Sequence, residues 1–224
     1  MSWESSREYY RAINEGIKSS LGGLHSAKIV MVSVDFEPIE KLQHDGDWEL
    51  TAKILSDAAK KVELAGADIL LICTNTMHKV APQIIQAINI PLLHIADATA
   101  EILVTKGIKT VGLLGTAFTM EQDFYKGRLK QDYGLKVLIP NDVDRDIIHN
   151  VIYKELCLGE LQPASKIEYL RIIEALAHQG AEAVILGCTE IGMLVNQTDT
   201  EVLLLDTTYI HAQKAVEYAL TDVT

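Results

Sequence analysis

Cysteine is scarce in this chain, with three residues, Cys73, Cys157 and Cys188, among 224. They are odd in number, far apart and without a CxxC pair, which argues against a disulfide framework and points to a reducing, cytoplasmic setting. Seven histidines are scattered without metal-ligand spacing, so no metal site is expected. The opening MSWESSREYYR lacks the apolar core of a secretory leader, and no apolar run is long enough to span a bilayer. Positive charge is short as well: 20 Lys and Arg stand against 31 Asp and Glu, a formal charge of −11. That balance argues against general binding to nucleic acid or to anionic membranes. A small anionic substrate stays open, because a few backbone amides and cations suffice to bind one. No Pro/Gly-rich linker or low-complexity tract occurs, so any division into two domains must be compact. What is present is a 48% hydrophobic chain, able to bury one large core or two smaller ones.

Short apolar runs alternate with helical periodicity almost throughout. The pattern predicts helices over 5–20, 47–65, 77–88, 96–106, 119–132, 142–157, 163–179 and 207–220. It predicts strands over 27–34, 68–73, 92–95, 109–114, 135–139, 182–187 and 201–205. Such alternation implies parallel strands joined by helical crossovers, an α/β fold.

The chain also resembles itself. Gly66-Ala67-Asp68 followed by ILLICT matches Gly180-Ala181-Glu182 followed by AVILGC, 114 residues later. A second match, offset by 115, sets EYYR (8–11) against DFYK (123–126). Chance likeness of α/β units is the bland explanation, but two nearly equal offsets favour duplication. The first offset sets Cys73 opposite Gly187, Thr74 opposite Cys188, Asn75 opposite Thr189 and Thr76 opposite Glu190. The repeat has a gap. TVGLLG (110–115) leads into the second-half counterpart of MSWESSREYYR, and nothing precedes Met1, so the first half is expected to lack its N-terminal strand. Either the chain begins late or the fold tolerates the loss, at a cost in ladder hydrogen bonds and buried contacts.

Two related halves, each ending a strand in a polar, nucleophile-bearing turn, suggest a site between them beyond the carboxyl ends of the strands. Acid/base groups on opposite sides of a substrate suit inversion at a carbon: one removes the proton, the other delivers one to the opposite face. Thiols fit, since their pKa of about 8.5 lies near working pH. Helix N-termini after each turn would stabilise a thiolate and a substrate carboxylate. Successive strand side chains point to opposite faces, so Cys73 and Thr74 are rivals for the first position.

The segments MSWES, CTNTMHK, LLGTAFT and GCTEIGML resemble the aspartate/glutamate racemase family of cofactor-independent amino-acid racemases, over essentially the whole chain. The likeness is nearest to its broad-specificity bacterial branch. The resemblance implies two pseudo-symmetric parallel-sheet α/β domains, no cofactor, a small amino-acid substrate and a homodimer. The family turns are usually Cys-Asn-Thr and Gly-Cys-Thr. Aligning on Asn75-Thr76 puts Thr74, rather than Cys73, at the first catalytic position, and Cys188 at the second. The repeat gives the same pair. Thr at the first position departs from the pattern, puts symmetrical racemisation in question, and suits a proton donor better than a base.

Asn75, Thr76 and Thr189 follow the catalytic positions and are candidates for binding the substrate carboxylate, with helix capping as their plain alternative. Thr116 and Thr119, in GTAFT, match the family's carboxylate cradle. Met1 and Ser2 hold the related position in the first half. Gln43, in a loop after the 27–34 strand, and Lys166, at a helix start, sit where the family contacts substrate side chains. Glu190 replaces a His of the glutamate-specific racemases and would orient Cys188, bind the substrate ammonium or cap a helix. Cys73 and Cys157 read as small apolar core residues, and His78 and Asp35 as bystanders near the cleft. The expected domains are 1–96 with 207–224, and 97–206. Two rival functions remain: a one-cysteine decarboxylase or isomerase of the same superfamily, and a ligand-binding relative without catalysis.

Overall fold

The computed structural model describes residues 1–221. The chain forms two compact units, one of Met1–Cys73, Met77–His94 and the chain from Ala212, the other of Thr74–Thr76 and Ile95–His211.

The first unit starts with α1 (Trp3–Leu21), whose end is capped because Ser2 Oγ accepts the Ser5 amide at 3.1 Å. Helices α2 (Phe36–Asp45) and α3 (Trp48–Leu64) follow, separated by Gly46 in the left-handed conformation and by Asp47, which accepts the Leu50 amide. The sequence pattern missed α2. Strand β1 (Leu70–Leu71) leads through the turn 72–75 into a 3-10 segment, Thr76–Val80, and then α4 (Ala81–Ala87) and β2 (Leu92–Leu93). β1 and β2 pair in parallel, and the core beneath them joins Ile39, Leu55, Leu70, Ile72, Met77 and Ile84.

Residues 27–34, expected as a strand, join no sheet. Val30 and Met31 are exposed. The physical reason lies in the order of elements. In the second unit the counterpart of this segment pairs only with the strand that comes before it in the chain. In the first unit the two described strands, β1 and β2, pair with each other, and AKIVMVSV, for all its apolar strand composition, joins neither.

The second unit holds α5 (Ile95–Thr105), β3 (Thr110–Gly115), α6 (Ala117–Glu121), α7 (Asp123–Tyr133), β4 (Lys136–Leu138), α8 (Asp142–Lys154), α9 (Pro163–His178), β5 (Ala183–Gly187), α10 (Ile191–Leu194) and β6 (Leu203–Asp206). Helix α11 (Thr207–Thr221) begins here and enters the first unit at Ala212. The four strands are parallel in the order β4-β3-β5-β6. Alternation sends Val184 and Leu186 to one face, with Ile148 of α8 and Tyr169 and Ile172 of α9. It sends Ala183 and Ile185 to the other, with Leu103 of α5 and Leu129 of α7. Both faces are covered, so β5 is buried along its whole length and reads as a continuous apolar run. The helix expected over 119–132 is two, because Thr116 caps a new helix directly after β3 and the chain turns extended at Gln122.

Gly115 and Gly187 are register partners at the carboxyl ends of β3 and β5. A Cβ on Gly187 would lie 2.7 Å from the Leu114 carbonyl oxygen, and one on Gly115 would lie 2.8 Å from that of Gly187. Only hydrogen fits on either side. Gly187→Ala is therefore expected to force the two central strands apart and lower unfolding free energy by about 1–3 kcal/mol, read from the urea midpoint.

Candidate functional site

Three strand ends in the second unit open into polar turns: Gly115-Thr116 after β3, Gly187-Cys188-Thr189-Glu190 after β5, and Asp206-Thr207 at the end of β6. The turn Thr74-Asn75-Thr76 belongs to the same unit and is fastened to all three. Asn75 Nδ2 donates to Thr207 Oγ1 at 3.0 Å, and Thr207 Oγ1 donates to the Leu186 carbonyl on β5 at 2.8 Å. Since the Thr207 hydrogen is spent on Leu186, its oxygen can only accept from Asn75. That fixes the amide with Nδ2 toward Thr207 and leaves Asn75 Oδ1 a buried acceptor with no protein partner. Thr76 Oγ1 meets Thr116 Oγ1 at 3.0 Å and Thr119 Oγ1 at 3.4 Å, and the latter two are 3.3 Å apart. Thr119 also gives its amide to Thr116 Oγ1, the cap of α6. Three hydroxyls thus converge in a buried cluster.

Cys188 lies one residue past β5 and is buried. Its Sγ donates to Glu190 Oε2 at 3.0 Å, and Thr189 Oγ1 donates to the same oxygen at 2.7 Å. Glu190 Oε1 is 3.8 Å from Cys157 Sγ. Burial first, and then the charge of Glu190, push the Cys188 thiol well above its ordinary value. Thr74 is half-buried in the bend before the 3-10 segment.

Cys73 belongs to another environment. It packs in the first unit against Tyr9, Ala12 and Ala212, and its carbonyl accepts Ser5 Oγ at 2.9 Å and the Met1 amino group at 3.3 Å. Burial pushes its thiol up to about 11. This is core packing.

The remaining candidates hold assorted positions. Met1 packs on the first unit's core, and buried Ser2 is the α1 cap. Gln43 sits on α2, not in a loop after a strand, and its Nε2 donates to Met77 Sδ at 3.6 Å. Lys166 on α9 pairs with Asp199 at 2.8 Å. His78 is buried, its ring 4.4 Å from that of His94, and Asp35 is exposed at the start of α2. Cys157 lies beyond α8 in the 3-10 turn Leu156–Leu158, where it touches Glu190 as well as the core. Thr207 escaped the sequence reading, although LLLDTT repeats the motif of an apolar strand ending in a polar turn. Among the described residues no group of three or more His, Cys, Asp and Glu is arranged to hold a metal ion, and no helix is long and apolar enough to cross a membrane.

A unit built as a parallel sheet with nucleophile and hydroxyl groups on the turns after its strands is matched by known proteins. The family model for Asp/Glu/hydantoin racemases covers residues 1–215, and the chain belongs to that family. Its homologues are isomerases, so the chain is an enzyme of the amino-acid racemase class at the family level. A Yersinia pestis crystal structure assigned to the Asp/Glu racemases is 53% identical, covering 98% of this chain and 96% of that one, with a TM-score of 0.90. An aspartate racemase homologue from Pyrococcus horikoshii is 34% identical over 96% and 94% of the two chains, with a TM-score of 0.82. The broad specificity amino-acid racemase RacX of Bacillus subtilis is 24% identical over 177 residues, 76% of this chain and 73% of that protein.

The Thr207 hydroxyl can be tested alone. Thr207→Val keeps its volume but strands the Leu186 carbonyl and the Asn75 amide. It is expected to cost about 1–3 kcal/mol in thermal unfolding, and Thr207→Ser is expected to recover most of it.

Proposed function

We propose that the protein is a cofactor-independent amino-acid racemase that moves protons at Cα by two groups on opposite faces of the substrate, Thr74 and Cys188. The observation that carries this reading is the hydrogen-bonded path from Asn75 through Thr207 to Leu186. It ties the turn bearing Thr74 to the strand end bearing Cys188. An α-amino acid brings a carboxylate, an ammonium and one acidifiable C–H. The hydroxyl cluster of Thr76, Thr116 and Thr119 offers donors to the carboxylate, with Thr189 beside Cys188. The buried Asn75 Oδ1 offers an acceptor to the ammonium. Donors held toward the carboxylate stabilise the charge that builds up when the Cα proton leaves, and do so best in a site from which water is excluded.

Aspartate, glutamate or a broader set of side chains fits the family, and RacX supports the broad option by its name alone. Gln43 and Lys166 already have protein partners, so a substrate side chain would have to compete with Met77 for the one and Asp199 for the other. The same reading takes the protein as a cytoplasmic homodimer, in keeping with three free cysteines; sedimentation equilibrium checks the dimer.

Single enantiomers of several amino acids in deuterated water provide the test. The expected result is deuterium at Cα together with the opposite enantiomer. Neither product from any amino acid would sink the reading, and release of CO2 with a deuterated amine would replace it by one-cysteine decarboxylation. Cys188→Ser is expected to abolish turnover, while Cys73→Ser keeps most of it; the reverse would overturn the assignment. Thr74→Cys is expected to raise the slower of the two directions.

A further inference from the structure

We propose that His149 of α8 is a positioning residue for the threonine cluster: unprotonated at Nδ1, it holds the Ala117 amide and with it Thr116 and Thr119, and on protonation it lets them go. The proposal rests on the racemase reading, in which that cluster receives the substrate carboxylate.

Helix α6 has five residues, Ala117–Glu121, too few to be stable through its own hydrogen bonds. Thr116 Oγ1 caps it by accepting the Thr119 amide at 3.3 Å, and the Met120 amide goes to the Thr116 carbonyl at 3.0 Å. The first amide of a helix has no acceptor within the helix itself. Here that amide, Ala117, donates to His149 Nδ1 at 3.2 Å, a side chain 32 positions further along the chain. The bond ties the turn bearing both hydroxyls to α8, and the ion pair of Arg145 with Glu121 at 2.9 Å ties the other end of α6 to the same helix.

A backbone amide can only donate, so Nδ1 must accept. His149 is therefore neutral, with its hydrogen on Nε2. The half-buried ring is held in this orientation by two others, Tyr153 with its centroid 4.9 Å away and Phe118 at 6.2 Å, both inclined to it. A proton on Nδ1 would set two donors against each other and break the bond. Imidazole is the side chain whose charge ordinarily changes between about pH 5 and 8, so mild acid suffices to reach it.

The charged and titratable groups around it are Arg145 and Tyr153, one turn to either side on α8, Glu121 on α6, and Cys157 in the turn after α8. On α9 they are Tyr169, which donates to the Ile148 carbonyl, and Arg171, which pairs with Asp144. Arg145 is balanced by Glu121 and Asp142, so it brings no uncompensated charge. Losing the Ala117 bond leaves Cys188 and Thr74 as they are and loosens the donors that meet the carboxylate. The effect therefore falls on substrate binding: KM rises toward acid pH by about two- to tenfold, the worth of one hydrogen bond, and kcat changes less.

His149→Asn and His149→Leu separate the acceptor from the proton. Asn Oδ1 stands where Nδ1 stood and accepts the amide but takes no proton, whereas Leu does neither. For the amino acid that exchanges deuterium fastest, KM of the unaltered protein is expected to rise between about pH 8 and pH 5. His149→Leu is expected to show the raised KM throughout, and His149→Asn to bring it back down and flatten its course with pH. A lower melting temperature in both variants, with KM and its pH course unchanged, would make the bond merely structural and overturn the proposal. So would an acid rise that His149→Asn retains in full. Nitrogen-15 NMR of the unaltered protein needs no variant to fold. The expected result is hydrogen on Nε2 at neutral pH, with the Ala117 and Thr119 amide signals moving together as the ring takes its proton. Hydrogen on Nδ1, or a Thr119 signal that does not follow the ring, overturns the proposal. Should the protein exchange no Cα proton, the racemase reading fails, and these signals alone decide whether His149 positions the threonines.

Discussion

The hydroxyl of Thr207 joins a turn from early in the sequence to the end of a central strand. One oxygen accepts from Asn75 and its hydrogen goes to Leu186, with Asn75 and Thr207 132 positions apart in the chain. Beside this link, Gly115 and Gly187 let β3 and β5 end close together, where a Cβ on either would meet the other strand's backbone. The bond also sets the chemistry of the turn it holds. With Nδ2 directed at Thr207, Asn75 presents an acceptor, while Thr76 beside it joins two other hydroxyls. The proposed amino-acid substrate needs both kinds of group, and this turn carries both within two residues.

The two sides of the proposed reaction differ in how they are supported. Cys188 is buried, hydrogen-bonded to Glu190 and flanked by Cys157, so its proton has a defined place to go. Thr74 stands half-buried in a bend. A hydroxyl there is a competent donor to a carbanion and a poor base, whereas a thiol with a carboxylate partner can do either. The departure from two thiols thus amounts to a division of labour between a group that can take a proton and a group suited to giving one.

Much of this was legible in the sequence, for reasons that differ by element. The buried strands β3 and β5 showed as unbroken apolar runs, and the long helices showed through their periodicity and caps. The expected pairing of Thr74 with Cys188 came from the internal repeat and from alignment of Asn75-Thr76 with the family turn, while side-chain alternation only made Cys73 and Thr74 rivals. Sequence failed where a local pattern depends on a distant partner. AKIVMVSV has the composition of a strand and forms none, because a parallel strand exists only through its neighbour. Thr207 was invisible as a site residue because its role lies in a bond to a residue far away in the chain. Cys157 read as core on a helix face and does pack on the core, but α8 ends at Lys154 and the residue also faces Glu190, which the pattern did not show.

The proposed roles of Cys188 and Thr74 together imply a direction. If only the Cys188 side can remove a Cα proton at a useful rate, the enantiomer whose Cα–H faces Cys188 is converted readily, and its mirror image waits on a hydroxyl that resists ionisation. The overall equilibrium between enantiomers is unaffected, since a catalyst cannot move it. What changes is how strongly each direction depends on Thr74: the forward step uses it as a donor, and the reverse step needs it as a base. By microscopic reversibility both directions cross the same barrier top, so the asymmetry must appear in how tightly the two enantiomers are bound before it. A slow direction then shows up as a low kcat with a correspondingly low KM for the enantiomer whose Cα–H faces Thr74.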